Sequence, residues 1–572
     1  MIKLINYIEG LSFWKVAVIL ATVGLILYIN TFTNQLFWDD YDSIVNNAYV
    51  KSWNYLPNYF SENLTAGSGI RDNYWRPLLL FSFSLDYKIG KLTPLFYHLQ
   101  SLFWHILSAV LAYWLIFKLF KNKLASLIAA LIFLAHPLQA EAVTYVAGRA
   151  DPMHAALMLA AFLFFYKYVA EKAAFKFYFW SIVFFSAALL TKERAIVLPA
   201  LLVLYYVTLY PEPLLQNWKK KIINILPYTG IAVLYLILRM TVLHFADVFD
   251  LGQPNNIGAQ NWYEKFLAYC QGIAVYAGLL FWPAKLYMEK SISIPPSFWN
   301  SYVISGLIIV ISSLAGIVYS FRRKKIFAFG MLWFWVALSP SFHIYPIQGL
   351  LYEHWLYFPM IGLLAVFVLP LATMIRYTEF NSFRIFLVAL LTVGILALGI
   401  RTIVRNRDWN NPIRFYEKNV SLGGLSARVY TNLGMAYDGA GRHEEAIGTY
   451  QKAIALDNRL FQPWYDTGNA YWDMQKLDEA LAAYQKSVEL NPYFLPAYYN
   501  LAGIYAGCND FDNAAGVLQK ALAVDSNKSR TYYNLGIVYY QKGDKTEAKK
   551  YFTEALRLEP SNVDLLNLVN GL

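Results

Sequence analysis

About eleven runs of apolar residues, each able to form a helix near bilayer length, decide what this chain can fold into. They lie at 16–29, 95–117, 124–141, 152–169, 177–192, 195–211, 223–243, 300–320, 326–345, 355–375 and 385–404. In hydrocarbon every backbone N–H and C=O must be satisfied within the chain, so such runs fold as helices. The composition agrees: of 572 residues, 58% are hydrophobic and only 15% charged, far from an ordinary soluble domain. The first run follows Lys3 and Lys15 and meets no small-residue cleavage site in Tyr28-Ile29-Asn30-Thr31, so it reads as a retained anchor rather than a signal peptide.

Basic residues fix an expected orientation. The clusters Lys118/Lys121/Lys123, Lys167/Lys172/Lys176, Lys219/Lys220/Lys221, Arg322/Arg323/Lys324/Lys325 and Arg376/Arg384 each fall between two runs, and the positive-inside bias places all five in the cytoplasm. The net charge of +11 is therefore read as a membrane-orienting excess, and nucleic-acid binding is not expected. For consistency, 262–282 is read as a re-entrant or interfacial helix within an outer segment 244–298, with the amino terminus inside and everything after 404 outside. Cys270 and Cys508 are too far apart in sequence to suggest a disulfide framework.

This arrangement gathers ionisable residues at one face. Asp39 and Asp40 lie in Phe37-Trp38-Asp39-Asp40-Tyr41-Asp42 just after the first run, where a charge at membrane depth costs about 2.5–3.5 kcal/mol and so marks a watery site. A merely solvated acidic loop serves the same pattern. Arg76, His136, Glu141, Arg149, Asp151, Lys192, Glu193, Arg194, Glu353 and His354 join them on the same side, while His98 and His105 read as interhelical hydrogen-bonding residues.

From residue 427 a 34-residue period appears. Gly434, Gly468, Ala502 and Gly536 set the register; Tyr437, Tyr471, Tyr505 and Tyr539 follow, and Ala446, Ala480, Ala514 and Ala548 take the next small position. This is the tetratricopeptide pattern, in which small residues let paired helices approach and aromatics fill the space between them. Four repeats with a short cap are expected over 427–572, after a linker at 405–426 and a membrane portion 1–404 with outer loops 31–94 and 244–298. Tyr465, Asn469, Trp472, Tyr499, Tyr533 and Tyr540 are expected to line the groove, a surface suited to an extended peptide or a sugar face.

Several segments carry a family resemblance: Phe37-Trp38-Asp39-Asp40 with Asn46; Trp75-Arg76-Pro77-Leu78; Phe96-Tyr97-His98 with His105; His136-Pro137-Leu138-Gln139-Ala140-Glu141-Ala142-Val143 leading into Gly148-Arg149-Ala150-Asp151; Lys192-Glu193; Glu353-His354-Trp355-Leu356-Tyr357-Phe358-Pro359; and Arg405-Asn406 with Trp409. With the repeats, they resemble the transmembrane and tetratricopeptide-repeat-containing O-mannosyltransferases, membrane glycosyltransferases of the GT-C fold class. The chain departs from that pattern at Glu353-His354, where Glu-Arg is expected.

The resemblance implies an all-α fold, a helical membrane bundle followed by a repeat solenoid. It also implies transfer of a sugar, mannose by the family's pattern, from a polyprenyl phosphate to Ser or Thr of secreted or surface proteins. Asp39 is then the base that deprotonates the acceptor hydroxyl, with Asp40 orienting base or acceptor. Arg149, Lys192, Arg194 and Arg76 would meet the donor phosphate; His136, Glu141, Asp151, Glu353 and His354 would shape the sugar and acceptor pocket. No metal is required by this scheme, although Asp39 and Asp40 offer a divalent ion two carboxylates. Partners would be membrane lipids, the lipid-linked sugar and a protein acceptor in the groove. The compact loops point to the plasma membrane of a prokaryote, the endoplasmic reticulum membrane being the eukaryotic equivalent. A non-enzymatic scaffold that recruits partners through the repeats is the competing reading.

Overall fold

The computed structural model describes residues 2–70, 72–213, 215–243, 261–288, 295, 297–341, 351–560 and 562–572, which are helical with no strand among them. They form two compact units, Met1–Lys418 and Asn419–Leu572.

In the first unit, seven helices are long and apolar enough to cross a membrane: Phe13–Thr31, Pro94–Phe120, Ala147–Val169, Trp218–Thr241, Ser301–Arg323, Met360–Tyr377 and Asn381–Asp408. An eighth candidate is the pair Lys123–Ala135 and Pro137–Thr144, bent by 52° at His136, where Pro137 has no N–H to continue the ladder and disfavours helix at the preceding residue. The remaining expected runs are helical but short, as Phe175–Leu189, Leu198–Thr208 and Lys325–Leu338. The segment expected to be interfacial or re-entrant contains one continuous helix, Trp262–Phe281; much of the rest of 244–298 lies outside the described residues.

Small residues allow close crossings. A Cβ on Gly362 would come within 2.5 Å of the Gly330 carbonyl oxygen, so Lys325–Leu338 and Met360–Tyr377 meet backbone to backbone, the packing that holds helices together where lipid removes the hydrophobic drive. Polar groups tie the first and last long helices. Asn406 Nδ2 donates to the Leu27 carbonyl at 3.0 Å, Asn30 Nδ2 to Ile403 at 2.9 Å, and Thr144 Oγ1 to Asn406 Oδ1 at 2.8 Å. His98 and His105 do bond between elements, to the Asn34 carbonyl at 3.1 Å and the Tyr357 hydroxyl at 2.6 Å.

The expected linker 405–426 is not one. Arg405 and Asn406 are buried in the last turns of Asn381–Asp408, and Pro412–Ser421 is helical. Trp409 and Phe415, their ring centroids 4.1 Å apart, belong to the first unit's packing.

The second unit is four helix pairs, Ala427–Asp438 with His443–Leu456, Gln462–Asp473 with Leu477–Leu490, Leu495–Gly507 with Phe511–Val524, and Ser529–Lys542 with Lys545–Leu558, closed by Val563–Gly571. Within the repeats, a Cβ on Gly434, Gly468 or Gly536 would enter the ring of Tyr450, Tyr484 or Phe552 at 2.3–2.6 Å. That clash is the physical reason for the sequence period.

Candidate functional site

Asp39 and Asp40 are adjacent and differ in every respect that matters. Trp38 takes a left-handed backbone (φ 61°), an uncommon conformation for a large residue, and the chain turns so that Asp39 is exposed while Asp40 is 2% exposed. Asp40 Oδ1 accepts from the Ala147 amide at 2.8 Å and Oδ2 from the Phe37 amide at 3.3 Å, which pins the first loop to the turn before the Ala150–Val169 helix. Burial, with the Asp39 charge adding, pushes Asp40 up to about 8 against those two amide donors and Arg149. Asp40 is thus built into the loop, whereas Asp39 is exposed. The loop is wedged by aromatics: Trp38 stacks on Tyr145 at 4.7 Å, and Tyr145 on Trp409 at 5.5 Å. Burial and the charges of Asp39 and Asp40 push the Tyr145 hydroxyl well up, so it stays a neutral group beside them.

The four expected phosphate-binding cations separate in the same way. Arg149 is fully buried: it pairs with Asp86 at 2.6 Å and donates to the Tyr97 carbonyl, Ser82, Ser101 and Gln100. Its donors are consumed by the fold, so the expectation that it meets a phosphate is corrected. Asp86, an acid within the otherwise apolar Pro77–Gly90 helix, is the partner missed in sequence. A lone acid in such a helix is itself a sign of a buried cation. Arg76 forms a two-point pair with Glu193, Nη2 to Oε1 at 2.7 Å and Nε to Oε2 at 3.1 Å; burial opposes, but the Arg76 guanidinium holds Glu193 below the usual carboxylate range. Lys192 Nζ donates to Asp151 Oδ1 at 2.7 Å, and burial pushes it down to about 8 despite that partner. Arg194 makes no ion pair among the described residues and lies 4.6 Å from the Trp355 ring centroid. It is the cation left available.

The expected pocket residues divide as well. His136 is 1% exposed, with Nε2 on the Leu280 carbonyl at 3.1 Å and Nδ1 accepting from the Leu138 amide at 3.3 Å. Glu353 is 1% exposed and set against the fully buried Arg405 at 3.5 Å. Asp151 is spent on Lys192. These three are built into the fold rather than offered to a ligand, a correction to the pocket expected from sequence. Glu141 is buried and binds His354 twice, through the backbone amide and through Nδ1, both at 3.0 Å. His354 itself keeps 20% of its side chain exposed. Three consecutive residues gather these contacts: Lys192 holds Asp151, Glu193 holds Arg76, and Arg194 lies on Trp355, the chain neighbour of His354 with its partner Glu141.

The expected ion site does not fit: Asp40 turns both oxygens to backbone amides, so the pair does not present two open carboxylates. Among the described residues, the one group of His and Asp close enough to share an ion is Asp438, His443 and Asp473, in the repeats.

On the groove, Asn469 Oδ1 accepts from the Tyr484 hydroxyl at 2.7 Å and from Asn500 Nδ2 at 3.0 Å, and Tyr499 bonds Thr531 at 2.8 Å. Tyr465 packs on Phe494, ring centroids 4.9 Å apart, whereas Trp472, Tyr533 and Tyr540 are 41%, 41% and 51% exposed.

The tetratricopeptide repeat family model matches 427–459, 462–494 and 529–562, and a TPR repeat model matches 504–543. The chain is 23% identical over 454 residues to protein O-mannosyl-transferase TMTC3 of Homo sapiens, covering 73% of this chain and 49% of that protein. It is 23% identical over 445 residues to protein O-mannosyl-transferase F38B6.6 of Caenorhabditis elegans, covering 75% of this chain and 61% of that protein. The chain spans about half the length of the curated relatives it matches. Among solved structures, the crystal structure of MamA is 28% identical over 27% of this chain and 89% of that one, with a TM-score of 0.25. The relatives similar over about three quarters of this chain are named protein O-mannosyl-transferases, and the tetratricopeptide match is confined to 427–562.

Proposed function

We propose that this protein is a membrane glycosyltransferase of the GT-C kind that moves mannose from a polyprenyl phosphate to Ser or Thr of secreted or surface proteins. One observation carries the assignment: Asp39 is exposed, held so by the buried Asp40, while Arg194 makes no ion pair among the described residues and lies against Trp355. Displacement at an anomeric carbon needs a base for the attacking hydroxyl and positive charge for the departing phosphate. Asp39 supplies the first. Arg194 supplies the second, while Lys192 and Arg76 neutralise Asp151 and Glu193 beside it. No step is routed through a metal. The relatives' names do not favour the scaffold reading.

The repeats hold the protein acceptor through the exposed Trp472, Tyr533 and Tyr540. The amino terminus is cytoplasmic and the repeats lie outside, in a prokaryotic plasma membrane or, equivalently, facing the endoplasmic reticulum lumen. The native cysteines test this side, since Cys508 is exposed and Cys270 buried. A membrane-impermeant thiol reagent should label Cys508 on sealed cells or right-side-out vesicles, and labelling only after permeabilisation would reverse the orientation. For the reaction itself, purified protein incubated with polyprenyl-phosphate mannose and a Ser/Thr-rich peptide library should yield peptides heavier by one hexose. Unmodified peptides would overturn the assignment.

A further inference from the structure

Imidazoles of the first unit invite comparison. His105 and His136 each engage both ring nitrogens inside the protein, His105 with the Tyr357 hydroxyl and the Leu134 carbonyl, His136 with the Leu280 carbonyl and the Leu138 amide. His98 and His154 engage one ring nitrogen each but are 1% and 3% exposed, so they meet no ligand, whereas His354 keeps 20% of its side chain exposed. His354 engages Nδ1 alone, with Glu141, and among the described residues Nε2 has no bond. The grip on it is unusually firm, because the fully buried Glu141 takes the His354 backbone amide on one oxygen and Nδ1–H on the other. Such a carboxylate fixes the ring's orientation and forces Nδ1 to be the inward donor, leaving Nε2 as the nitrogen presented outward.

What Nε2 is presented to is set by its neighbours. Trp355 lies edge-on to the His354 ring at 6.4 Å between centroids, and the Arg194 guanidinium rests 4.6 Å from the centroid of that same Trp355 ring. Tyr352 is the other ring neighbour of His354, at 5.3 Å between centroids. The charged and titratable groups around it are Glu141, Asp151 with its partner Lys192, Arg194, Glu353 with its partner Arg405, and Tyr276. Each of these carboxylates is already committed to a basic partner, and Arg194 and the His354 ring both border Trp355, with no bond to Nε2 and no ion pair to Arg194 among the described residues.

We propose, resting on the transfer reaction argued above, that His354 is a catalytic residue for the leaving group. Its Nε2–H donates to the phosphate oxygen that departs from mannose, next to Arg194. The acceptor Oγ forms a bond to C1 as the C1–O(phosphate) bond breaks with its electron pair going to the phosphate oxygen. The hydroxyl proton passes to Asp39. Imidazolium, with both nitrogens protonated, keeps Nδ1–H on Glu141 while Nε2–H stays on the phosphate anion, so no net proton need cross to the leaving group. Glu141 is a positioning residue in this account. A cation at this position is the functional requirement, and an arginine would meet it.

The test uses the full-length protein in the peptide assay, with His354→Ala and His354→Arg, each first checked for an unchanged thermal unfolding midpoint. His354→Ala should lower kcat about a hundredfold, the order a positioned donor contributes. KM for the peptide should stay within about twofold, as for an interaction made in the transition state only. Added imidazole should recover at least about tenfold of the lost kcat, and His354→Arg should do so without imidazole. Parental kcat in His354→Ala, or a loss that neither imidazole nor arginine recovers, would overturn the proposal while leaving the transfer reaction standing. No transfer by the unaltered protein would take down both readings together.

Discussion

The two units treat charge in opposite ways. In Met1–Lys418 several ion pairs are inside, as in Arg149–Asp86, with side chains 0% and 5% exposed, and Lys192–Asp151, 6% and 3%, while Lys118–Glu171 and Arg376–Glu9 are partly exposed. In Asn419–Leu572 they are on the surface, as in Arg442–Glu445, 41% and 53% exposed, and Lys542–Asp512, 41% and 85%. Taking ions out of water is costly enough that buried pairs persist only where geometry and function hold them, while surface pairs contribute little. Buried pairs therefore belong to the scaffold of the first unit, and the charges beside them, the exposed Asp39 and the half-buried Arg194, are the ones that can meet a substrate. In the second unit, shape and exposed aromatic rings carry the information.

The sharpest break in that comparison is Asp39→Asn. Transfer to a short peptide should fall at least about a hundredfold, the contribution of a positioned base, with the unfolding midpoint unchanged because Asp39 is exposed. Parental transfer would remove Asp39 from the mechanism. Arg149→Met comes next and should act on the fold instead. Leaving Asp86 buried without its partner should cost about 3–5 kcal/mol, read as a lowered unfolding midpoint in detergent, whereas Lys542→Ala in the repeats should leave the midpoint where it was. Equal shifts would mean that buried and surface pairs are not distinguished as argued. A smaller effect belongs to Gly468→Ala, whose Cβ would meet the buried Tyr484 ring at 2.6 Å. It should destabilise the repeats by about 1–3 kcal/mol, as overpacking does, with peptide transfer unchanged.

Much of this was legible in the sequence, for reasons that also set the limit. Hydrocarbon length and the 34-residue period are local properties, so the helical runs and the four repeats could be read directly, while the run read as 124–141 is bent at His136-Pro137. What could not be read was partnership. Arg149 reaches Asp86, 63 positions away, and Arg76 reaches Glu193 across 117 positions; nothing local in either arginine says that it is spent. The split between Asp39 and Asp40 depends on a positive φ at Trp38 and on the Ala147 amide, neither of which has a residue signature. Chemistry-bearing residue types were thus identifiable, but their availability was decided by contacts between distant segments.

The central claim is that the first unit performs the reaction and the second brings the acceptor to it. Deleting 427–572 tests this most directly, because the repeats form a compact unit of their own. A second site near the reacting groups raises the acceptor's effective concentration without adding any contact at the reacting carbon. The deleted protein should therefore transfer mannose to a short Ser/Thr peptide at a rate within about twofold of the full chain, with KM for a folded protein acceptor raised at least about tenfold. Equal loss of both transfers, in a deletion variant with an unchanged unfolding midpoint, would contradict the account and make the repeats part of the reacting site.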